Sequence, residues 1–125
     1  MFQTKAIMNT RKINEFTSVI DIQGEVNANA EGILMEAYKQ ASEGSVRFII
    51  LNFRRLHYMN SSGIGLLVSL LIRSQRKGQT LLACGLNEHY TNIFELTKLG
   101  DAIQIYPDEI DALAVTEQAV GEATG

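Results

Sequence analysis

Hydrophobic and polar positions change their spacing several times along the chain, and each change predicts a new element. Apolar and polar residues alternate imperfectly over residues 3–11 and 16–26, which indicates two strands, and the polar link 12–15 predicts a hairpin. After Gly24, either Asn27 or Asn29 is suited to cap the next helix. That helix is predicted to end at Gly44, and its apolar face is formed by residues at helical spacing: Ile33, Leu34, Ala37, Tyr38 and Ala41.

The rest of the chain alternates strongly apolar runs with helical patterns. Residues 46–53 are nearly all β-branched or aromatic, which predicts a strand buried on both faces. A loop over 54–60 and a helix over 62–77 follow, and Gly78 ends the helix. The pattern then predicts a strand over 80–85, a helix over 87–98, a strand over 103–106 and a last helix from Pro107 that carries Ile110, Leu113 and Ala114.

Strands that alternate with helices predict a single α/β domain with a mixed, mostly parallel sheet of five to six strands. About four helices pack on this sheet, and an N-terminal β-hairpin adds an antiparallel edge. The domain is predicted over residues 1–120, with a disordered tail over 121–125. Because sites form at the carboxyl ends of parallel strands, the loops 24–29 and 54–61 are the candidate site.

Composition supports one globular domain, and the absence of long apolar runs bears on where in the cell we expect the protein. The chain has 125 residues, of which 46% are hydrophobic and 20% charged. It lacks both a secretory signal and an apolar run of membrane-spanning length, so we expect a cytoplasmic protein with no membrane partner. The single cysteine, Cys84, lies in an apolar run and is expected to be a buried hydrophobic residue.

The charges are unevenly distributed. No acidic residue occurs between Glu43 and Glu88, whereas that interval contains Arg47, Arg54, Arg55, Arg73, Arg76 and Lys77. These basic residues are sparse and split between two short clusters, and those in the last turn of the 62–77 helix complement its dipole. We therefore expect no nucleic-acid partner. His57 and His89 have no neighbours at metal-ligand spacing, so no metal, cofactor or enzymatic activity is expected.

The junction between the 46–53 strand and the next helix concentrates polar and small residues. Asn60, Ser61 and Ser62 are all suitable N-caps, and Gly63 and Gly65 reduce bulk in the first turn. Spacing alone leaves two interpretations open for Ser61, a helix cap or the centre of an anion site at the helix start. The following helix is apolar nearly all round. Leu67 and Leu71, with Ile64, can line one buried face, so Leu66, Leu70 or both are predicted to project elsewhere and form an exposed interface.

Residues 58–67 resemble the signature of the STAS domain, and more narrowly that of bacterial anti-sigma-factor antagonists. The loop Gly24-Glu25-Val26, the strand 49–53 and the segment 94–100 resemble other parts of the same family. The resemblance implies a STAS-like fold and places Ser61 at the position that a partner kinase phosphorylates. Asn60 occupies a position at which the family usually has Asp, and Asn27 occupies one at which it often has Asp.

The resemblance also implies a mechanism, an anti-sigma-factor antagonist that acts by partner switching. The unmodified chain would bind an anti-sigma serine kinase through Asn27, Asn60, Ser61, Ser62, Gly63, Ile64, Leu66 and Leu70. Phosphorylated Ser61 would release the kinase, and a PP2C-type phosphatase would restore the hydroxyl. We expect a monomer or weak dimer. The alternative is a scaffold STAS module whose Ser61 is never phosphorylated, which the two asparagines favour slightly.

Overall fold

A computed structural model describes the backbone of residues 5–124 and the side chains of residues 5–121. Its five strands form one sheet in the order β1-β2-β3-β4-β5. β1 is antiparallel to β2 and the other neighbours are parallel, so the mixed, mostly parallel sheet and the N-terminal hairpin are confirmed. The strands are β1 (Ile7–Asn14), β2 (Thr17–Val26), β3 (Phe48–Met59), β4 (Thr80–Cys84) and β5 (Gln104–Tyr106).

Within residues 5–124, five α-helices complete the domain, one more than the approximate number expected. A single 3-10 turn, Ala28–Ala30, leads directly into the first of them. The short helix α4 was not predicted, because the pattern of residues 87–98 gives no sign of a second helix beyond it. The helices are α1 (Glu31–Ala41), α2 (Ser61–Arg76), α3 (Glu88–Leu96), α4 (Leu99–Ala102) and α5 (Glu109–Thr124).

The helices divide between the two faces of the sheet. Side chains of α1, α2 and α3, including Leu34, Leu67 and Phe94, form the larger core with one face. The smaller core on the opposite face includes Ala112 of α5 packed with Ile50 and neighbouring apolar residues. The helices that follow β2 and β3 therefore lie on one face, and their first turns sit at the carboxyl edge of the sheet.

The strand boundaries differ from the predictions at two places. The predicted loop over 54–60 is wrong, because β3 continues to Met59 and pairs with the end of β2. Its exposed polar residues, such as Arg54 and His57, resemble a loop in the sequence, but β2 holds this segment extended. The hairpin link is also shorter than residues 12–15, since β1 continues to Asn14. The predicted strand start at residue 3 lies outside the described residues.

Two further predictions differ from the structure. Ile33 does not face the core with the other apolar residues of α1, since its exposed fraction is 42%. Helix α5 extends to Thr124, so the described backbone is helical where a disordered tail was predicted from residue 121, and Gly125 lies outside the described residues. Among residues 5–124, none of the helices has the length and apolar content needed to cross a membrane.

Candidate functional site

The two strand–helix junctions at the ends of β2 and β3, which come from separate parts of the sequence, lie side by side in the structure. Val26 and Met59 end β2 and β3 as partners in a parallel pair, so Asn27 and Asn60 leave the sheet next to each other. The backbone N–H of Asn60 donates to the Val26 carbonyl oxygen at 3.3 Å. Residues 27 and 60, which the sequence pattern selected independently, therefore belong to one surface.

Asn60, and not a serine, caps helix α2. Its side-chain oxygen accepts from the Gly63 backbone N–H at 2.9 Å, and its carbonyl oxygen accepts from Ile64 N–H at 3.0 Å. The chain enters this cap in an extended conformation, as an N-cap residue normally does. The capping role is thus filled one residue before Ser61.

Ser61 and Ser62 are consequently left as exposed residues in the first turn of α2. Among the described residues, neither hydroxyl has a hydrogen-bond partner and neither backbone N–H has an acceptor. These N–H groups lie at the positive end of a 16-residue helix dipole. The arrangement leaves the Ser61 hydroxyl accessible and its surroundings favourable to negative charge.

Asn27 plays the equivalent role in the neighbouring loop. Its side-chain oxygen accepts from the Asn29 N–H at 2.9 Å and so caps the 3-10 turn. Of the two caps predicted for this region, Asn27 is therefore the one observed. The α-helix itself begins after Ala30, which makes no side-chain cap.

Gly63 holds the two loops together, although it is buried and offers no surface to a partner. A Cβ atom at this position would collide with the Val26 carbonyl oxygen and lie 2.8 Å from Met59 Cγ. Only glycine lets the first turn of α2 approach the end of β2 this closely. Gly63 thus supports the site indirectly, by allowing α2 to begin next to the ends of β2 and β3.

Tyr90 in α3 also supports the site, and the sequence analysis did not identify it. Its hydroxyl accepts from the Met59 N–H at 2.8 Å and lies 3.4 Å from the Met59 carbonyl oxygen. These contacts satisfy the backbone of β3 near its end, because the pairing of β3 with β4 stops at Asn52. A buried tyrosine early in α3 was a weak signal, because Tyr90 also fits the apolar pattern of an ordinary core residue.

The predicted exposed patch on α2 involves different residues. Leu66 and Leu70 are buried, with exposed fractions of 7% and 0%, so their predicted outward position is wrong. The exposed apolar side chains of α2 are instead Val68 and Ile72, and Ile64 is partly buried. Ile64, which was predicted to contribute to the partner-binding surface, remains partly exposed.

Comparison with known proteins places this geometry in a family. The sequence model of the STAS domain matches residues 8–112. The chain is 22% identical over 100 residues to the anti-sigma F factor antagonist of Paenibacillus polymyxa, which covers 79% of this chain and 86% of the relative. It is 26% identical over 86 residues to the anti-sigma-B factor antagonist of Staphylococcus aureus (strain NCTC 8325 / PS 47), which covers 69% and 80%, respectively.

The solved structures agree on the fold. The anti-sigma factor antagonist SpoIIAA in its unphosphorylated form superposes with a TM-score of 0.69 at 23% identity, covering 90% of this chain and 97% of SpoIIAA. Since the family model spans most of the sequence and the fold is shared, the chain belongs to the STAS-domain family.

Proposed function

We propose that this chain is an anti-sigma-factor antagonist that works by partner switching. Unmodified, it binds an anti-sigma serine kinase in the cytoplasm, and phosphorylation of Ser61 releases that kinase. A PP2C-type phosphatase then regenerates the binding form. The similarity to the two anti-sigma-factor antagonists described above supports this class of function.

One observation carries the proposal: the Ser61 hydroxyl is exposed and is not needed for capping α2. A kinase can therefore modify it without breaking a hydrogen bond that the fold requires. A phosphate there meets free N–H groups and the helix dipole, which favour an anion. Phosphorylation should thus leave the domain folded and act on the bound partner.

Release follows from charge rather than from refolding. A phosphoserine adds about −1.5 to −2 charges at neutral pH, and burying these against a surface suited to a neutral hydroxyl is unfavourable. A hundredfold loss of affinity corresponds to only about 2.8 kcal/mol. Repulsion and desolvation at one contact are sufficient for a loss of this size.

The proposed contact surface centres on the two paired loops. Asn27, Asn60, Ser61, Ser62 and Ile64 form its exposed or partly exposed part, and Gly63 acts indirectly by holding the loops together. In this mechanism Ser61 is a substrate, and the catalytic groups belong to the kinase and the phosphatase.

The proposal is tested by incubating the chain with each purified anti-sigma-type serine kinase of its source organism and Mg-ATP. We expect mass spectrometry to place one phosphate on Ser61, with Ser62→Ala still modified and Ser61→Ala not. Calorimetry should show Ser61→Asp binding the unmodified kinase about a hundredfold more weakly than the wild type. Phosphate on no residue, or on Ser62 alone, would contradict the proposal.

A second candidate is a scaffold module that never switches. It is favoured by Asn27 and Asn60, which occupy capping positions without the negative charge of aspartate. In this case Ser61→Ala and Ser61→Asp would bind the same partner with equal affinity. The calorimetric comparison therefore separates the two candidates.

A further inference from the structure

A cleft lies where the first turn of α5 meets strands β1, β2 and β3. Its volume is about 790 Å³, and pockets for small molecules commonly measure roughly 300–1,000 Å³. Of the described residues that line it, none belongs to the contact surface proposed around Ser61. The cleft is therefore a separate feature of the domain, and the proposed function gives it no role.

Arg54 and Arg55, here called the arginine pair, are consecutive in β3, yet both line this cleft. Consecutive residues of a regular strand point to opposite faces of the sheet. The exception arises from a bulge: Asp21 pairs with Asn52 whereas Gln23 pairs with Arg55, so β3 has one residue more than β2 between these pairs. Bulges re-aim side chains, and this one brings two arginines to one cleft.

The structure around the bulge holds it in place. The Asn52 side-chain oxygen accepts from the Arg54 backbone N–H at 3.0 Å, and the Asn52 amide nitrogen donates to Glu109 at 3.2 Å. Gly85 has a φ of 76°, and a Cβ atom there would lie 2.8 Å from the Arg54 backbone nitrogen. Glycine thus lets the chain after β4 pass close to the bulge. The bulge is fixed by these contacts and not by the arginine side chains.

The arginine pair has no anionic partner of its own. Both side chains are exposed, and among the side chains of residues 5–121 neither has a hydrogen bond or an ion pair. Two neighbouring charges of the same sign repel, so an anion bound between them would stabilise the arrangement. Because guanidinium groups bind carboxylate and phosphate oxygens through paired hydrogen bonds, this end of the cleft is suited to an oxyanion.

The remainder of the cleft carries the opposite charge. Arg11 bonds the carboxylates of both Asp21 and Glu109, so one cation is shared between two anions. Asp108 adds another carboxylate, which accepts from a backbone N–H in the first turn of α5 at 2.9 Å. Asp21, Glu109 and Asp108 are here called the acidic group. A ligand with anions at both ends would be repelled by it, so the complementary ligand has a cationic end there.

We propose that this cleft binds a small zwitterionic molecule, whose carboxylate or phosphate lies at the arginine pair and whose ammonium group faces the acidic group. Asn9 and Gln23 also line the cleft. Their side chains form no hydrogen bond within the described part of the chain, so they are available to the polar body of the ligand. This binding site goes beyond the proposed function and does not depend on Ser61.

The test titrates the full, nitrogen-15-labelled chain with phosphoethanolamine and with β-alanine, followed by NMR. Each carries an ammonium group joined by a two-carbon link to a phosphate ester or a carboxylate, so the comparison identifies the preferred oxyanion. At least one should shift the backbone amide signals of Arg54, Arg55 and Gln23 saturably, with a Kd of about 1 mM for molecules this small.

Variants then assign the binding to the cleft. Arg54→Gln with Arg55→Gln should weaken binding about tenfold or more, because both cations that hold the oxyanion are removed. Arg73→Gln with Arg76→Gln is the matched control: it removes the same charge from the last turn of α2 and should leave the Kd unchanged. Ethyl phosphate and propionate, which lack the ammonium group, should bind about threefold more weakly than the zwitterions.

Three results would overturn the proposal. Shifts that do not saturate with either zwitterion would mean that the cleft is an ordinary solvated surface. Equal weakening by the two double variants would mean that only the net charge of the chain matters. Ethyl phosphate and propionate that bind as tightly as the zwitterions would leave a plain anion site, and the acidic group would then have no part in recognition.

Discussion

Asn60 and Ser61 are adjacent in the chain, yet the geometry of the α2 start gives them different tasks. The N-cap position has an extended backbone and a side chain that reaches the N–H three residues later, and Asn60 satisfies both conditions. Ser61 already belongs to the helix, and its hydroxyl takes no part in the capping bond. The hydroxyl is left available because the residue before it performs the structural role.

Replacing Asn60 by alanine tests this division of roles. We expect the free energy of unfolding to fall by about 1 kcal/mol in urea denaturation, because the Gly63 N–H loses its acceptor. Asn92→Ala, an exposed position inside α3, is the control and should change stability by less than about 0.5 kcal/mol. Equal stability of Asn60→Ala and the wild type would show that the cap is not formed in solution.

Helix α2 shows how an element divides its surface between fold and function. Leu66, Leu67 and Leu70 pack into the larger core, whereas Val68 and Ile72 face away from it. The sequence analysis assigned Leu66 and Leu70 to the outside because it centred the buried stripe on Ile64, Leu67 and Leu71. The observed buried stripe lies less than a quarter turn around the helix from the predicted one. An apolar pattern that is nearly uniform does not fix the rotation of the helix to that accuracy.

The rotation is testable by truncating one residue on each side. Leu70→Ala should lower the free energy of unfolding by about 2–5 kcal/mol, since it leaves a cavity at a fully buried position. Val68→Ala should change it by less than about 0.5 kcal/mol, because the side chain is exposed and alanine favours a helix. Losses of similar size in the two variants would contradict the observed orientation.

At the scale of the whole molecule, α5 is attached to the sheet face opposite the candidate site. Its contacts include a small apolar cluster around Ala112 and an ion network in which Arg11 of β1 bonds Asp21 and Glu109. The hydrogen bond to Asp21, then that to Glu109, raises the pKa of Arg11 above its ordinary value. Beneath α5, burial raises the pKa of the Cys84 thiol to about 12, which keeps it protonated and unreactive at neutral pH.

Removing the guanidinium tests how much this network secures α5. In Arg11→Gln, amide hydrogens of α5 should exchange faster, and stability should fall by about 1 kcal/mol or less because Arg11 is 43% exposed. The difference from the wild type should shrink in 1 M salt, at roughly 3 Å screening length. Arg47→Gln, an exposed cation without an ion pair among the described residues, is the control and should leave α5 exchange unchanged. Unaltered exchange in Arg11→Gln would mean that the apolar cluster alone holds α5.

The sequence by itself determined the fold class, the order of the strands and of every helix except α4, and the edge of the sheet at which the candidate site lies. Periodicity identifies apolar runs and helical faces, and cap and turn residues such as Asn27, Asn60 and Gly78 mark local backbone states that depend on near neighbours. The carboxyl-edge rule then placed residues 27 and 60 on one surface without knowledge of the coordinates. These are local or topological properties, which a linear pattern records.

Tertiary structure alone decided which atoms are free at that site and which residues surround it. It extended β3 to Met59 by pairing it with β2, although Arg54 and His57 resemble a loop. It buried Leu66 and Leu70, exposed Val68 and Ile72, and brought Tyr90 from a distant helix to the Met59 backbone. Each of these depends on contacts between residues far apart in the chain, whose energies no local pattern contains.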